Sequence, residues 1–448
     1  MQYQEFKQAV IAAAKAAGLT EYELYYAQDK SVEVETLLTE VDKYMTSDSA
    51  GVCFRCIHQG KMGYASTELF EEEQAGLLVK DAMENALLIE EESENFIYAG
   101  GDAYPQIEVK QREAAQTREL MDVATRMQKY LFDKDERISQ GTQSMTATGG
   151  GTVAIYNSNG IDLENTYEYD MIVTVPIIVE GQEMYNAVEY EMGSLGEMHP
   201  QEVANKAYDK CVRTIGATPI PSGNYPVVFE RRTMQALLAN FSTIFCADKV
   251  QKGLSLLKDK LDEKIAAPLI TIMDNPMYEG GLIRRTFDDE GVPAQKKAVV
   301  QDGVLKTFLY DLKSAAKDKV KSTGNAAKAG YNGAVMVRPS QMYMEPGEMT
   351  FDELLSEAKD GVVVTQINGM HAGADTTSGD FSLNVQGYRI TDGKAGAPVN
   401  QITVAGNFYE MLENIVAVGD DLEMGIPKGS SIFGAPSVLV KSMAIAGE

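Results

Sequence analysis

The stretch Gly216–Pro226, GATPIPSGNYP, holds three prolines and two glycines in eleven positions. Proline fixes φ and removes a backbone donor, so neither a helix nor a central strand runs through such a segment. The chain is therefore read as two units, residues 1–220 and 221–448, each long enough for its own core.

The first unit mixes two periods. Phe6, Val10, Ala13, Ala14 and Ala17 recur at helical spacing, and Gly18 supplies a stop. The runs YELYYAQD and SVEVETLL read as two short strands, followed by a Cys-bearing strand and a turn at Gln59-Gly60-Lys61. Further helices are expected from about Thr67 and over Thr117–Asp135, with an exposed acidic loop at Glu90–Glu113 between them. From Ile138 to Met192 the pattern alternates. Asn159-Gly160 marks a hairpin, because both residues tolerate positive φ. A second strand pair brackets Glu180-Gly181-Gln182, and Pro200 opens a helix.

After the boundary come a strand PVVFE and a helix carrying Met234, Leu237, Leu238, Phe241, Ile244 and Phe245 on one face. Most of the remainder alternates, with turns at Asp302-Gly303 and Asp392-Gly393 and a helix over Asn407–Val418. The predicted class is α+β: a mixed amino-terminal domain, then a β-rich, antiparallel, barrel-like carboxy-terminal domain.

Charge narrows the function. The formal net charge is −26, and such a surface repels phosphate backbones and anionic lipid. No nucleic-acid or membrane partner is expected. The amino terminus lacks the basic region and apolar core of a signal peptide, and no apolar run reaches the ~18 residues of a membrane span, so a cytoplasmic location is expected.

Catalytic motifs are missing where they would be legible. The three histidines, His58, His199 and His371, lie far apart, and none is followed by glutamate. No H-E-x-x-H helix can therefore aim two imidazoles at one zinc. There is no G-x-S-x-G elbow or Walker loop, and Gly149-Gly150-Gly151 feeds a strand rather than a phosphate-holding helix. Cys53 and Cys56 form a C-x-x-C, but strand alternation puts them on opposite faces, where each behaves as a small hydrophobe. The triplet Asp288-Asp289-Glu290 reads as a solvated turn rather than a cation site. His371, in the glycine-rich loop NGMHAGADTTSGD, reads either as a solvated loop residue or as a substrate contact.

Several spaced blocks then follow in one order: TFDDEGVPAQKKAVVQDGVLKTFLYDLKSA, KSTGNA, TSGDFS, GYRITDGK, PVNQITVAGNFYEMLENIVAVGDD and a closing PSVLVKSMAIAGE. This series resembles the TldD/PmbA family, the modulator of DNA gyrase family, closely from about Gly281 to the end and more weakly before it. The resemblance implies two kinds of chain: TldD-like chains with a zinc helix H-E-x-x-x-H and a later cysteine ligand, and TldE/PmbA-like chains without them. The corresponding helix here is RRTMQALLANFSTIFCADKV, with Ala239, Asn240 and Ile244 at the His, Glu and His positions. The later cysteine would fall at Gly429–Pro436, which contains none.

The resemblance thus implies a TldE-like, non-catalytic subunit of a zinc metalloprotease complex acting on small or unfolded peptides. No cofactor is expected in this chain, and zinc is expected in a TldD-like partner. A homodimer is possible in isolation. The expected peptide-wall residues are Thr323, Gly324, Asn325, His371, Ser378, Gly379 and Asp380, where glycine permits close backbone approach. Two other readings stay open: an independent peptidase with an unrecognised site around His371, Asp375 and Asp380, and a homodimeric peptide-binding protein without catalysis.

Overall fold

The computed structural model describes residues 1–90, 94–108 and 114–448. Residues 91–93 and 109–113, within the expected acidic loop, lie outside the described residues, and 94–108 form no helix or strand.

The amino-terminal unit is built on a six-stranded antiparallel sheet, in the order Lys61–Thr67, Glu40–His58, Tyr22–Leu37, Gln143–Asn157, Asp162–Val175, Glu189–Gly193. The two strands expected at YELYYAQD and SVEVETLL are one, Tyr22–Leu37. Its polar centre, Gln28-Asp29-Lys30, stays extended because ladder partners flank it on both sides. The helix expected from Thr67 begins at Glu72, since Thr67 still pairs with Val52.

Two helices, Tyr3–Ala16 and Glu72–Leu87, cover one end of this sheet, packing Phe6, Val10, Leu78 and Ala82 against Leu24 and Phe54. The Thr117–Lys134 and Pro200–Arg213 helices cover the other end, with Leu120 and Ala124 against Val34, and Met127 and Val203 against Ile172. The triple glycine sits in the sheet interior. A side chain on Gly151 would stand 2.6 Å from the Tyr167 hydroxyl of the facing strand, so the tyrosine occupies the space the glycine leaves.

The carboxy-terminal unit contains a closed five-stranded barrel: Lys394–Asn407, Asp380–Thr391, Gly361–Asn368, Gly223–Phe229 and Val438–Ala446, the last pairing back to the first. A second six-stranded sheet includes Ile272–Asp274, Gln341–Met344 and Ile432–Ala435. Among the described strands two pairings are parallel, Gly361–Asn368 on Gly223–Phe229 and Gln341–Met344 on Ile432–Ala435, and the other strand pairings are antiparallel.

Two expected helices are shorter than their apolar patterns. The Met234–Phe245 face is α-helical only over Arg231–Phe241 and tightens to a 3-10 turn at Ser242–Phe245. Asn407–Val418 is helical only over Phe408–Glu413, because Ile415–Val418 is taken by the strand Val438–Ala446. That stretch is rich in β-branched residues, which suit a ladder better than a helix.

Candidate functional site

The helix at the family's zinc position runs along the barrel core. Phe241 stacks on Phe408 with ring centroids 4.5 Å apart, and Ile244 is 1% exposed in the same cluster. This helix packs against the strand Ile432–Ala435, so the two segments from which the resemblance draws metal ligands do meet in space.

What they bring together is not a ligand set. The side chains of Ala239 and Ile244 have no donor atom, and the buried amide nitrogen of Asn240 has no hydrogen-bond partner among the described residues. An amide cannot take a proton from a metal-bound water. Cys246 follows the 3-10 turn, fully buried, and burial followed by the nearby Asp248 carboxylate pushes its thiol up, away from the thiolate that binds metal. Among the described residues no three His, Cys, Asp or Glu side chains converge. The residues present at this position do not fit a zinc ion.

The expected wall residues fall into two groups, and no hydrogen bond joins them among the described residues. Asn325, 2% exposed, sits in a closed polar cluster. Its amide donates to Asp274 Oδ2 at 2.7 Å and to the Arg338 carbonyl at 3.0 Å, while Lys297 Nζ donates to its Oδ1 at 2.9 Å and to Asp274 at 3.1 Å. Thr323 adds a hydroxyl bond to Asn325 at 2.7 Å. The Asn325 side chain thus ties its own loop to Asp274, Lys297 and Arg338 from within. Gly324 adopts φ +70°, with the Pro293 carbonyl 2.8 Å from where a Cβ would stand. Gly324, Asn325, Arg338, Ser340 and Ser430 bound one narrow cleft of about 10 Å³, which joins this loop to the segment where the family's cysteine would lie.

The second group stands at the start of the barrel strand Asp380–Thr391. Asp375 accepts N–H bonds from Thr377 and Ser378 at 2.7 and 3.1 Å, and Asp380 accepts from Asn407 Nδ2 at 2.8 Å. The bonds from Asn407 and Ser378 hold the Asp380 carboxyl below its ordinary value. Gly379, at φ +84°, is packed beneath the Tyr409 ring. His371 is exposed on a short helix, Met370–Gly373, and makes no side-chain bond to either carboxylate among the described residues. The grouping of His371, Asp375 and Asp380 therefore lacks the base-to-orienter contact that acid–base catalysis uses.

Asn325→Ala is expected to lower stability by about 1–3 kcal/mol, because Asp274 would remain buried without the amide. Exposed His371→Ala should stay within about 0.5 kcal/mol. Thermal melting of the two variants checks the contrast.

The acidic triplet corrects its sequence reading: Asp288, Asp289 and Glu290 are buried at 5%, 2% and 4% exposure. Asp288 accepts backbone N–H bonds from Glu290, Val292 and Ala326. Asp289 pairs with Arg285 at 3.3 Å and takes the Lys328 N–H. Glu290 reaches into the amino-terminal sheet, accepting from Arg55 at 3.1 Å, while Arg55 also makes two bonds to Glu23 at 2.7 and 3.0 Å. A turn at the surface of one unit is thereby a lock buried between the two. Desolvation raises Glu290 above the ordinary carboxylate range, with Arg55 opposing it.

A cavity of about 610 Å³ opens beside the start of the zinc-position helix, lined by Arg231, Arg232, Glu189, Glu423, Lys210 and His199 among others. Its charges neutralise one another: Arg232 pairs with Glu189 and Glu423, Arg231 with Glu423 and Asp421, and Lys210 with Glu189. Sequence reasoning missed Arg55, Asp274, Lys297, Asn407 and Tyr409. Only Asn407, which caps the Phe408–Glu413 helix, carried a local signal.

Known proteins share the domains and the fold of this chain. Residues 222–447 match the PmbA/TldA metallopeptidase C-terminal domain, and residues 22–86 match PmbA/TldA metallopeptidase domain 1. A Methanothermobacter thermautotrophicus protein named metalloprotease is 32% identical over 55% of this chain and 56% of its own length. A Thermotoga maritima crystal structure, described as a candidate modulator of a DNA gyrase, is 32% identical with TM-score 0.90, covering 99% of this chain and 100% of that one. The structure of TldE from Thermococcus kodakarensis shares the fold, with TM-score 0.87 at 20% identity over 98% of this chain and 99% of that one. By its matching domains and its full-length structural likeness, the chain belongs to the PmbA/TldD metallopeptidase family.

Proposed function

We propose that this chain is the non-catalytic subunit of a TldD/TldE-type zinc metalloprotease complex that degrades small or unfolded peptides, with a TldD-like partner supplying the zinc. The observation that carries the reading is the zinc-position helix. Its residues at the ligand positions have no donors, and one of them, Ile244, is part of the barrel core. The fold shared with a protein named TldE supports the same assignment. The gyrase description attached to a relative finds little support in a surface of net charge −26, which repels DNA.

In this reading the chain contributes surface rather than chemistry. Its carboxy-terminal strands and the loops at Thr323–Asn325 and Ser378–Asp380 wall a space in which an extended peptide is held through backbone groups. In the same reading the protein acts in the cytoplasm; no helix among the described residues is long and apolar enough to cross a membrane.

Metal analysis and peptidase assays of the purified chain, alone and mixed with a zinc-bearing relative, test this. The lone chain should hold no stoichiometric zinc and cleave nothing, and activity should appear on mixing. Cys246→Ser should leave the metal content unchanged. Zinc bound to the lone chain, and removed together with its peptidase activity by a chelator, would overturn the proposal in favour of an independent peptidase.

A further inference from the structure

A cavity of about 380 Å³ lies where the two units meet. Its size falls within the roughly 300–1,000 Å³ of small-molecule sites. Arg55 and Tyr64 reach it from the amino-terminal sheet, and Phe96 from the segment beyond the Glu72–Leu87 helix. Glu290, Asp311 and Val335 reach it from the carboxy-terminal unit.

The charge around this cavity does not balance. Arg55 and Lys313 face three carboxylates, Glu94, Glu290 and Asp311. Arg55 has no donor to spare for Asp311, since its Nε and Nη2 donate to Glu23 and its Nη1 to Glu290. Glu23, at 0% exposure, is a further buried carboxylate on the same guanidinium. Lys313 is exposed, so water screens its charge. Burial raises Glu290, Arg55 opposes the rise, and the Asp311 charge adds to it, so these two carboxylates feel each other.

One oxygen of the group is idle. Both oxygens of Glu290 are taken, Oε1 by Arg55 and Oε2 by the Leu312 N–H at 2.8 Å. Asp311 is 8% exposed and caps the helix Leu312–Asp318, its Oδ1 accepting from the N–H and the hydroxyl of Ser314. Its Oδ2 has no hydrogen-bond partner among the described residues. A carboxylate oxygen taken out of water without a donor costs free energy, and this one lines a space that a donor can enter.

The surplus of carboxylates calls for a positive donor and turns anions away. A hard metal ion takes about six to eight oxygens, and this wall offers too few that are free. An organic ammonium needs only one such oxygen, and its apolar body suits the Tyr64, Phe96 and Val335 side chains, where aromatic rings also attract a cation. We propose that this cavity binds a primary ammonium carrying a short apolar body, with Asp311 Oδ2 as its acceptor. The amino-terminal residue of a peptide and a free amine both present that chemistry. Because the lining comes from both units, an occupant also ties them together beside the Arg55 lock, and the protein should melt higher in its presence. This binding does not rest on the metal-free reading, because it is measured on the lone chain without zinc or peptidase activity.

Calorimetric titration of the full chain with phenylalanine amide, with its N-acetylated form and with the tripeptide amide Phe-Gly-Gly tests it. Phenylalanine amide should bind, and acetylation of its amine should abolish the binding. Asp311→Asn keeps a capping oxygen for Ser314 but loses the charge, and should weaken binding about tenfold or more with unliganded melting unchanged. Lys313→Ala removes the competing cation and should tighten binding. Tripeptide amide bound as well as phenylalanine amide would assign the site to peptide amino termini, and binding of phenylalanine amide alone would assign it to small amines. Acetylated ligand bound as tightly as the free amine, wild-type affinity in Asp311→Asn, or no binding of either amine at millimolar concentration would each overturn the proposal.

Discussion

Replacing Arg55 with alanine is expected to destabilise the protein by about 3–5 kcal/mol, the cost of leaving buried charges without their partner. Arg55 is 2% exposed and holds Glu23, at 0%, and Glu290, at 4%. Glu23 and Arg55 belong to the amino-terminal sheet and Glu290 to the carboxy-terminal unit, so the variant should also lose coupling between the two. Chemical denaturation followed by circular dichroism is the suitable measurement, as the chain has no tryptophan. A lower midpoint and separation into two transitions are expected.

The defect should depend on pH. Burial already raises Glu290, and removing the opposing Arg55 raises it further. The folded state then binds a proton more tightly than the unfolded state, so stability falls as pH rises from the unfolded value, about 4.3 for glutamate, through the raised folded value. The deficit of Arg55→Ala relative to wild type should accordingly be smaller at pH 5 than at pH 8. An equal deficit at both pH values would mean that lost packing, not stranded charge, causes it.

Rebuilding the zinc motif in this chain should fail, for a reason that lies in the fold. Ile244→His should cost about 3–5 kcal/mol, since it removes a buried aliphatic group and buries an imidazole with no partner. The position is 1% exposed within the barrel core. The α-helix also gives way to a 3-10 turn at Ser242, between the positions of Asn240 and Ile244, which changes their relative direction. The triple variant Ala239→His, Asn240→Glu, Ile244→His should melt well below wild type and retain no zinc after dialysis. Stoichiometric zinc with an unchanged melting temperature would show that substitution alone had closed the site.

Much of the fold was legible because secondary structure follows local periodicity. The Tyr3–Ala16, Thr117–Lys134 and Pro200–Arg213 helices and the hairpins at Asn159-Gly160, Asp302-Gly303 and Asp392-Gly393 all stand where spacing and turn chemistry put them. The failures came where tertiary partners overrode the pattern. A ladder on both sides kept Gln28-Asp29-Lys30 extended, and a neighbouring strand claimed Ile415–Val418 from a helix. The acidic triplet failed for a different reason: three consecutive carboxylates look solvated until their partners are known, and Arg55 lies 235 residues from Glu290.

The sequence by itself determined what this chain cannot do at the family's metal position. The side chains of alanine and isoleucine have no lone pair to offer in any fold, and residues 429–436 contain no cysteine. Only the tertiary structure decided that Asn325 is buried against Asp274, that His371 makes no bond to Asp375 or Asp380 among the described residues, and that Glu290 locks two units together. The physical reason is range. Donor chemistry and backbone periodicity belong to single residues and their near neighbours, whereas burial and ion pairing depend on residues that folding alone brings within a few ångströms.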